Sequence, residues 1–333
     1  MCSIKLTFII GSYNEVEYLD QAIQSCLGQN LDSFEIIIAD DGSTDGSIDL
    51  IEKYVRDYPS IFRYFVSDRT GVCNQEVIAS IRVSNCVIRA LKMARGDYCL
   101  CLSGDDYLYI NTFLQNAISF LDMNSEYSAY VGGYEMVWPN GSSLSCWSQY
   151  PPTLYWGGKY IHISSFVFRR FVFDSGAFLQ RFCDDTGLSY SLAISGKWKY
   201  DKELVFAYRQ RGDSIMHTLD RLELSVGELM LYQDVLCKGY LCWQSLSRFS
   251  KPLLYVFIHR NCLNNEKYCK YFNNCMLYDN NVLFYLYSYD KKSVIGKLKI
   301  LIWIVSANFV RFYYQIVLTN SLVCKIFSKI DLV

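Results

Sequence analysis

Two apolar runs that each end at paired carboxylates set the strongest limit on how this chain can fold. Residues 34–39 run into Asp40-Asp41, and residues 97–102 run through a short turn into Asp105-Asp106. Ligands of open α/β sheets bind at the carboxyl ends of the strands, so this pattern predicts a binding edge that carries four carboxylates. Such a concentration of negative charge is stable only beside a bound cation, hydrogen-bond donors or carboxyl groups with raised pKa values.

Amphipathic helices separate the apolar runs along the first 125 residues. Apolar residues recur at helical spacing after the loop at 11–15 and after the turn at 40–45. The patterns predict strands at 4–10, 34–39, 62–66 and 97–102, and further helices at about 76–94 and 111–122. Strands that alternate with helices of this length are typical of βαβ units, so we expect an α/β fold with a mixed, mainly parallel sheet flanked by helices.

The pattern changes at about residue 127, where short aromatic strand-like pieces begin. A strand is predicted at 166–170, a short helix from 184 to about 195, and a strand at 199–208. The remainder reads as mostly helical. We therefore expect a first domain at 1–217 and a C-terminal helical extension at 218–333.

Charge and cysteine usage narrow the class of protein. The net charge of −1 gives no indication of a nucleic-acid surface. Fourteen cysteines occur without a C-x-x-C pair, and the N-terminus enters a strand pattern directly, without a cleavage-site region. We expect a cytoplasmic chain whose reduced thiols serve as small hydrophobic side chains.

Residues 300–324 contain a single charge, Arg311, and lysines flank them on both sides. An arginine near the centre of a membrane-spanning helix costs roughly 2.5–3.5 kcal/mol on insertion scales, which disfavours a span. A helix pair that docks on the membrane surface fits the pattern better. A helix buried against the main domain stays open as an alternative.

Several short motifs, in their order along the chain, resemble family-2 glycosyltransferases with the GT-A fold. The resemblance covers roughly residues 4–217, and it implies that the domain at 1–217 is the catalytic domain, with its acceptor side at about 127–217. It depends on the segments Ile9–Glu15, Asp40–Asp45, Ala94–Tyr98, Leu102–Asp106, Asp184-Asp185 and Tyr208–Arg211. The similarity is greatest to bacterial enzymes that assemble surface or capsular polysaccharides.

The resemblance implies a site for a nucleotide diphosphate sugar, with a UDP-sugar as the first expectation. Asp40 is expected to accept hydrogen bonds from the base or ribose, with Asp41 beside it. Asn85 is expected near the nucleotide, within an apolar stripe that also contains Ile88. The other expected donor-binding residues are Tyr13, Asn14 and Glu15 near the nucleotide, and Asp105, Arg209 and Arg211 near the pyrophosphate.

The resemblance also implies a metal site. Asp105 and Asp106 are expected to bind Mg²⁺ or Mn²⁺, with His217 completing the metal or pyrophosphate site. A divalent cation offsets the negative charge that builds up on the departing diphosphate. Ser103 stands where many relatives carry an aspartate, and a hydroxyl is a poor ligand, so we expect weaker metal or ribose contact.

Asp185, with its neighbour Asp184, is the expected general base. An inverting transfer needs a carboxylate that takes the proton of the acceptor hydroxyl during in-line attack on the anomeric carbon. Helix capping is the structural alternative for this pair. Aromatic rings stack on the apolar faces of sugars, and the candidates on the acceptor side are Trp138, Trp147 and Trp156.

The sequence thus predicts an inverting transfer of a sugar to a hydroxyl of a glycan or lipid-linked acceptor in surface polysaccharide synthesis. We expect the protein in the cytoplasm, in peripheral contact with the inner face of the membrane. A degenerate partner protein without activity and a nucleotidyltransferase on a similar fold stay open. A nicotinamide-dependent oxidoreductase is disfavoured, because no G-x-G-x-x-G follows the first strand.

Overall fold

The computed structural model describes residues 4–69, 79–147, 161–174 and 185–212. They belong to the first of two compact units, Met1–Gly227 and Glu228–Val333. The domain boundary near 217 stays a prediction. Asp184, His217, Trp156 and the segment 300–324 lie outside the described residues. Across those described ranges, no helix has the length and apolar character that a membrane span requires.

Strands and helices alternate through the first half of the chain, as the sequence predicts. The elements there are β1 (Leu6–Ser12), α1 (Val16–Leu27), β2 (Phe34–Asp40), α2 (Ser47–Asp57), β3 (Phe62–Val66), α3 (Ala79–Met93), β4 (Tyr98–Ser103), β5 (Tyr107–Leu108) and α4 (Phe113–Met123). The second half contributes β6 (Tyr127–Val137), β7 (Ser143–Cys146), β8 (Phe166–Arg169), α5 (Phe171–Asp174), α6 (Asp185–Ser195) and β9 (Lys197–Arg209).

The nine strands of the described residues form one mixed sheet. The strand order is β3-β2-β1-β4-β8-β6-β9-β5, and β7 pairs with β6. β1, β2, β3 and β4 are parallel, and β6 and β9 point the same way because two antiparallel pairings connect β4 to β6 through β8. β5, β7 and β8 run in the opposite direction. The predicted mixed, mainly parallel sheet is therefore confirmed.

Apolar layers cover both faces of the sheet. On one face Phe8, Ile36 and Leu100 pack with helices α1, α2 and α4. On the other face Ile9 and Ile37 pack with α3 and α6. Strands buried on both sides have continuous apolar sequences, which explains the uninterrupted runs in the sequence.

A buried carboxylate links strands and a loop at the opposite end of the parallel sheet from the acidic pairs. Glu35 on β2 is fully buried. It accepts hydrogen bonds from the Thr7 hydroxyl (2.9 Å), the Arg95 backbone N–H (2.6 Å) and the Arg63 guanidinium (2.7 Å). The adjacent Gly96 lies against β1, where an added Cβ would come within 2.7 Å of the Thr7 backbone nitrogen. The Arg-Gly pair before β4 thus anchors the strand ends.

The loops that follow β1 and β2 bind each other through reciprocal hydrogen bonds. The Asn14 backbone N–H donates to Ser43 Oγ (2.9 Å), and the Thr44 N–H donates to Asn14 Oδ1 (2.8 Å). The Asp45 carboxylate accepts from the N–H groups of Val16 (3.0 Å) and Ser47 (3.0 Å), so one side chain binds the first residues of α1 and α2. Side chains of the loops after β1 and β2 therefore stabilise the sheet edge at which the acidic pairs lie.

Replacing Asn14 with alanine is expected to lower the free energy of unfolding by about 1–2 kcal/mol. The change removes the acceptor for the Thr44 N–H, and it places alanine at a left-handed φ of 53°. Asn14→Gly is the control, because glycine adopts this φ without strain. Urea denaturation measures both variants. Equal losses for alanine and glycine would show that the backbone conformation contributes nothing.

Candidate functional site

The carboxyl ends of β1, β2 and β4 lie side by side. Ser12 is opposite Asp40, and Gly11 is opposite Ser103. The residues Gly104–Asp106 after β4 form a turn that we call the acidic turn. The Gly104 N–H donates to the Gly11 carbonyl (2.7 Å), which joins this turn to the end of β1. The predicted meeting of the two acidic pairs at one sheet edge follows from this register.

Asp40 is part of its own turn. Its Oδ1 accepts from the backbone N–H groups of Gly42 (2.9 Å) and Ser43 (2.7 Å), and its Oδ2 accepts from the Ser43 hydroxyl (2.6 Å). The residue is fully buried. Both oxygens thus accept hydrogen bonds from the turn, and a contact of Asp40 with the base or ribose of a ligand stays a prediction.

Asp41 is the partly exposed carboxylate of the first pair. Arg82 Nε donates to Asp41 Oδ2 (3.3 Å), and a guanidinium nitrogen of Arg69 lies 3.5 Å from the same oxygen. The Arg69 guanidinium also lies over the Tyr13 ring, with 3.7 Å between its carbon and the ring centroid. Two arginines, a carboxylate and an aromatic ring therefore form one polar cluster at the end of β2.

Asn85 does not lie in an apolar stripe. It is exposed on α3, whereas Cys86, Val87 and Ile88 are buried. The sequence pattern predicts Asn85 on the same buried face of the helix as Ile88. In the structure Ile88 is on the buried face and Asn85 faces solvent. This part of the sequence interpretation is wrong, and a contact of Asn85 with a nucleotide stays a prediction.

The second acidic pair lies against Glu15. An added Cβ on Gly104 would come within 2.4 Å of Glu15 Oε2, so only glycine leaves room for this carboxylate. Glu15 Oε2 and Asp106 Oδ2 are buried oxygens without a hydrogen-bond partner among the described residues. Asp106 Oδ1 accepts from the Arg209 backbone N–H (2.9 Å). Two unsatisfied carboxylate oxygens therefore lie within the acidic turn and its surroundings.

Burial and mutual repulsion disfavour ionisation of this cluster. Burial raises the pKa of Glu15 well above its ordinary range, and the nearby charge of Asp105 raises it further. Burial and the Asp105 charge likewise raise the pKa of Asp106. Burial also raises the pKa of Asp105, against which the charge of Arg211 acts. Additional positive charge would stabilise the ionised cluster.

The Arg209 guanidinium stabilises the acidic turn. Its guanidinium donates to the Asp105 carbonyl and to Gln21 Oε1. The same group lies over the rings of Tyr18 (5.1 Å) and Tyr107 (4.8 Å). These contacts engage the guanidinium with the protein itself, and a contact of Arg209 with a pyrophosphate stays a prediction.

Arg211 lies at the acidic cluster. Its Nη1 donates to Asp105 Oδ2 (3.2 Å) and lies 3.9 Å from Glu15 Oε1. The Arg211 side chain is 13% exposed to solvent. It therefore supplies positive charge beside Asp105, where a phosphate group of a ligand would need it.

Asp185 begins helix α6 and lies near the second acidic pair. Its Oδ1 accepts from the Ile163 backbone N–H (2.6 Å). Its charge contributes to the raised pKa of Asp106, after the larger effects of burial and of Asp105. The structure thus brings Asp185 within electrostatic reach of the acidic turn.

Trp147 and Trp138 occupy different positions in the β6–β7 hairpin. The Trp147 ring covers Gly133, where an added Cβ would meet it at 2.5 Å, and its Nε1 donates to the Lys202 carbonyl (2.9 Å). Almost half of its surface is exposed. Trp138 closes the turn through its backbone, which accepts from the Gly141 N–H (2.9 Å). Trp147 is therefore the better placed of the two for stacking on a ligand.

The donor atoms at the acidic turn fit a divalent cation that a ligand also coordinates. Among the described ranges, no group of three or more His, Cys, Asp or Glu residues is arranged to hold a metal ion. Mg²⁺ is usually held by one or two carboxylates together with substrate phosphates. Asp105 and the unpartnered Asp106 oxygen meet that requirement without a third protein ligand.

The sequence interpretation missed Arg69 and His162. Arg69 follows β3, and the carboxyl end of this parallel strand belongs to the same edge as those of β1 and β2. This topology could have indicated it. His162 lies in a short turn before β8 that binds Asp185 through the Ile163 N–H. Its spacing from the other motifs gives no signal of that proximity.

Comparison with known sequences identifies a family match and several relatives. Residues 7–178, more than half of the chain, match the family described as Glycosyl transferase family 2. The uncharacterized protein Mb1547 of Mycobacterium bovis is 27% identical over 224 residues, which are 64% of this chain and 61% of that protein. The UDP-Glc:alpha-D-GlcNAc-diphosphoundecaprenol beta-1,3-glucosyltransferase WfaP of Escherichia coli is 30% identical over 131 residues, 39% of this chain and 46% of that enzyme. The matches thus span about three fifths of Mb1547 and less than half of WfaP.

A solved structure shares the fold. TarS 1-349 from S. aureus, crystallised in complex with UDP-GlcNAc, has a TM-score of 0.56 and 14% sequence identity. The match covers 84% of this chain and 81% of the TarS chain. The likeness confirms the predicted GT-A fold.

Proposed function

This chain belongs to glycosyl transferase family 2, and we propose that it transfers a sugar from a nucleoside diphosphate donor to a hydroxyl group of an acceptor glycan. The observation that carries the proposal is the acidic turn. There Asp105 and Asp106 lie beside Arg211, at the same sheet edge as Asp41. Carboxylates that share a cation with a diphosphate, next to a guanidinium, are suited to stabilise a departing nucleoside diphosphate.

The polar cluster at the end of β2 supports a nucleotide donor. The Tyr13 ring, stacked by Arg69, offers a planar contact for a base, and Asp41 offers an acceptor for base or ribose donors. UDP-sugars are the first candidates, since TarS was solved with UDP-GlcNAc and the name of WfaP specifies UDP-Glc.

Asp105 and Asp106 would hold Mg²⁺ or Mn²⁺, with His217 as a further proposed ligand. The cation, when bound, supplies positive charge to the diphosphate as the bond to the sugar breaks. Arg211 adds a second positive charge beside Asp105. Together they compensate the carboxylates that burial makes difficult to ionise.

Asp185 is the proposed base of an inverting displacement. Its carboxylate takes the proton of the acceptor hydroxyl while that oxygen bonds to the anomeric carbon and the diphosphate leaves. Asp184 is proposed as its neighbour in the site, and Trp147 as a stacking surface for the acceptor. The acceptor proposed is a glycan on a lipid diphosphate, for which the name of WfaP is the precedent. Such an acceptor would bring the protein to the inner face of the membrane.

A transfer assay tests the proposal directly. Radiolabelled UDP-glucose, UDP-N-acetylglucosamine, GDP-mannose and dTDP-rhamnose are each incubated with the protein, Mn²⁺ and a synthetic N-acetylglucosamine diphospholipid. We expect one donor to label the lipid, and we expect Asp105→Ala to lower the rate about 10²-fold or more. Binding of a nucleotide without transfer from any donor would instead favour an inactive partner protein.

A further inference from the structure

A buried histidine lies beside the proposed base, and the proposed function leaves it without a role. His162 is 7% exposed. Its imidazole is packed among three rings, with centroid distances of 4.8 Å to Phe206, 4.7 Å to Tyr208 and 6.0 Å to Tyr134. Such packing fixes the plane of the imidazole and the position of its nitrogens.

His162 closes the turn that precedes β8. Its Nδ1 accepts from the Ser164 backbone N–H (3.2 Å), and its carbonyl accepts from the Ser165 N–H (2.9 Å). Residues Ile163–Ser165 form a single 3₁₀ turn that His162 caps from the N-terminal side. The His162 side chain thus accepts the Ser164 N–H, while the His162 backbone carbonyl accepts the Ser165 N–H of the same turn.

The turn holds Asp185. The Ile163 N–H, directly before the two positions that His162 caps, donates to Asp185 Oδ1 (2.6 Å). The Asp185 carbonyl accepts from the Ser189 hydroxyl within α6 (2.5 Å). No described residue donates a hydrogen bond to Asp185 Oδ2. The turn therefore fixes one oxygen of the carboxylate and leaves the other for a ligand.

We propose that His162 is a positioning residue for sugar transfer, which aims the Asp185 carboxylate at the acceptor hydroxyl through the capped turn at 163–165. The inference rests on the proposed role of Asp185 as base. In-line attack requires the proton acceptor to lie within hydrogen-bond reach of the hydroxyl, and misplacement by about 1 Å can lower the rate 10²-fold. A cap made by a packed imidazole restricts the Ile163 N–H, and with it Asp185 Oδ1, to one position.

Two substitutions separate the cap from the packing. His162→Asn places an amide oxygen where Nδ1 lies, so it keeps the acceptor for the Ser164 N–H and removes the ring. His162→Phe keeps an aromatic ring among Tyr134, Phe206 and Tyr208 and removes the acceptor. A purely structural role in packing would make phenylalanine the milder change.

The experiment measures kcat and the donor KM of both variants in the transfer assay, together with their thermal midpoints. We expect His162→Phe to lower kcat about 10–100-fold with the donor KM within twofold of wild type. We expect His162→Asn to keep kcat within about threefold despite a lower midpoint. Should phenylalanine prevent folding, His162→Gln replaces it, because its amide extends past the Nδ1 position and loses the same acceptor.

A wild-type kcat in His162→Phe would overturn the inference. A loss of kcat in His162→Asn equal to that in His162→Phe would also overturn it. Asp185→Asn, measured in parallel, distinguishes this failure from that of the proposed base. If Asp185→Asn loses activity while His162→Phe does not, only the positioning role is wrong. If Asp185→Asn retains full activity, the base assignment is wrong and the positioning role falls with it.

Discussion

Asp185→Asn is expected to lower kcat for sugar transfer about 10²–10⁴-fold and to leave donor affinity within twofold of wild type. The amide oxygen can still accept from the Ile163 N–H, so the helix start and its turn keep their geometry. The amide cannot take the proton of the acceptor hydroxyl. The loss therefore reports proton transfer, separately from the structure of the site.

Asp174→Asn is the matched control. Asp174 is an exposed aspartate that pairs with Arg170 one helical turn away (3.3 Å), and surface pairs of this kind contribute little. Its kcat should stay within twofold of wild type. Transfer by Asp185→Asn at more than a third of the wild-type rate would exclude Asp185 as the base.

Glu35→Ala is expected to lower the free energy of unfolding by about 2–4 kcal/mol. The substitution leaves the Arg95 N–H and the Thr7 hydroxyl without their acceptor in a buried setting. The loss lies toward the lower end for a broken buried pair, since the Arg95 side chain is half exposed and can be hydrated. Urea denaturation measures it, with the exposed Glu17→Ala as a control expected within about 0.5 kcal/mol.

The same carboxylate gives a pH dependence. Burial acts to raise the pKa of Glu35, but hydrogen bonds from Arg95, Thr7 and Arg63 outweigh it and lower the pKa below its ordinary value of 4.5. The stabilisation is thus complete above pH 4.5 and is lost as the pH falls through the lowered pKa. The stability difference between wild type and Glu35→Gln should shrink over that range. A difference that stays constant down to the lowest pH at which the protein folds would contradict this.

The strands and helices of the first half could be predicted because local pattern and fold agree there. Strands buried on both faces give uninterrupted apolar runs. β2 ends at Asp40 and β4 ends at Ser103, two residues before Asp105, so both acidic pairs lie at the edge that the sequence predicts. The two-residue strand β5 has no comparable signal. It exists because it pairs with β9, a contact between residues about one hundred positions apart.

The roles of individual side chains were less predictable, because they depend on partners distant in sequence. The sequence does not indicate that the turn at 42–43 donates hydrogen bonds to both oxygens of Asp40. Nor does it indicate that the Arg209 guanidinium donates to the Asp105 carbonyl and to Gln21. The prediction that Asn85 lies on the apolar face of α3 is wrong, because the buried face of a helix is set by the elements that pack on it.

Nucleotide binding tests the central claim most directly. The thermal midpoint is measured with UDP, GDP, dTDP and CMP, each with and without Mn²⁺, on the wild-type protein and on Asp105→Ala. A ligand that binds the native state raises the midpoint by mass action. The account predicts a Mn²⁺-dependent rise with one nucleoside diphosphate, UDP first, and its loss in Asp105→Ala. No rise with any nucleotide, or an undiminished rise in Asp105→Ala, would contradict a donor site built on the acidic turn.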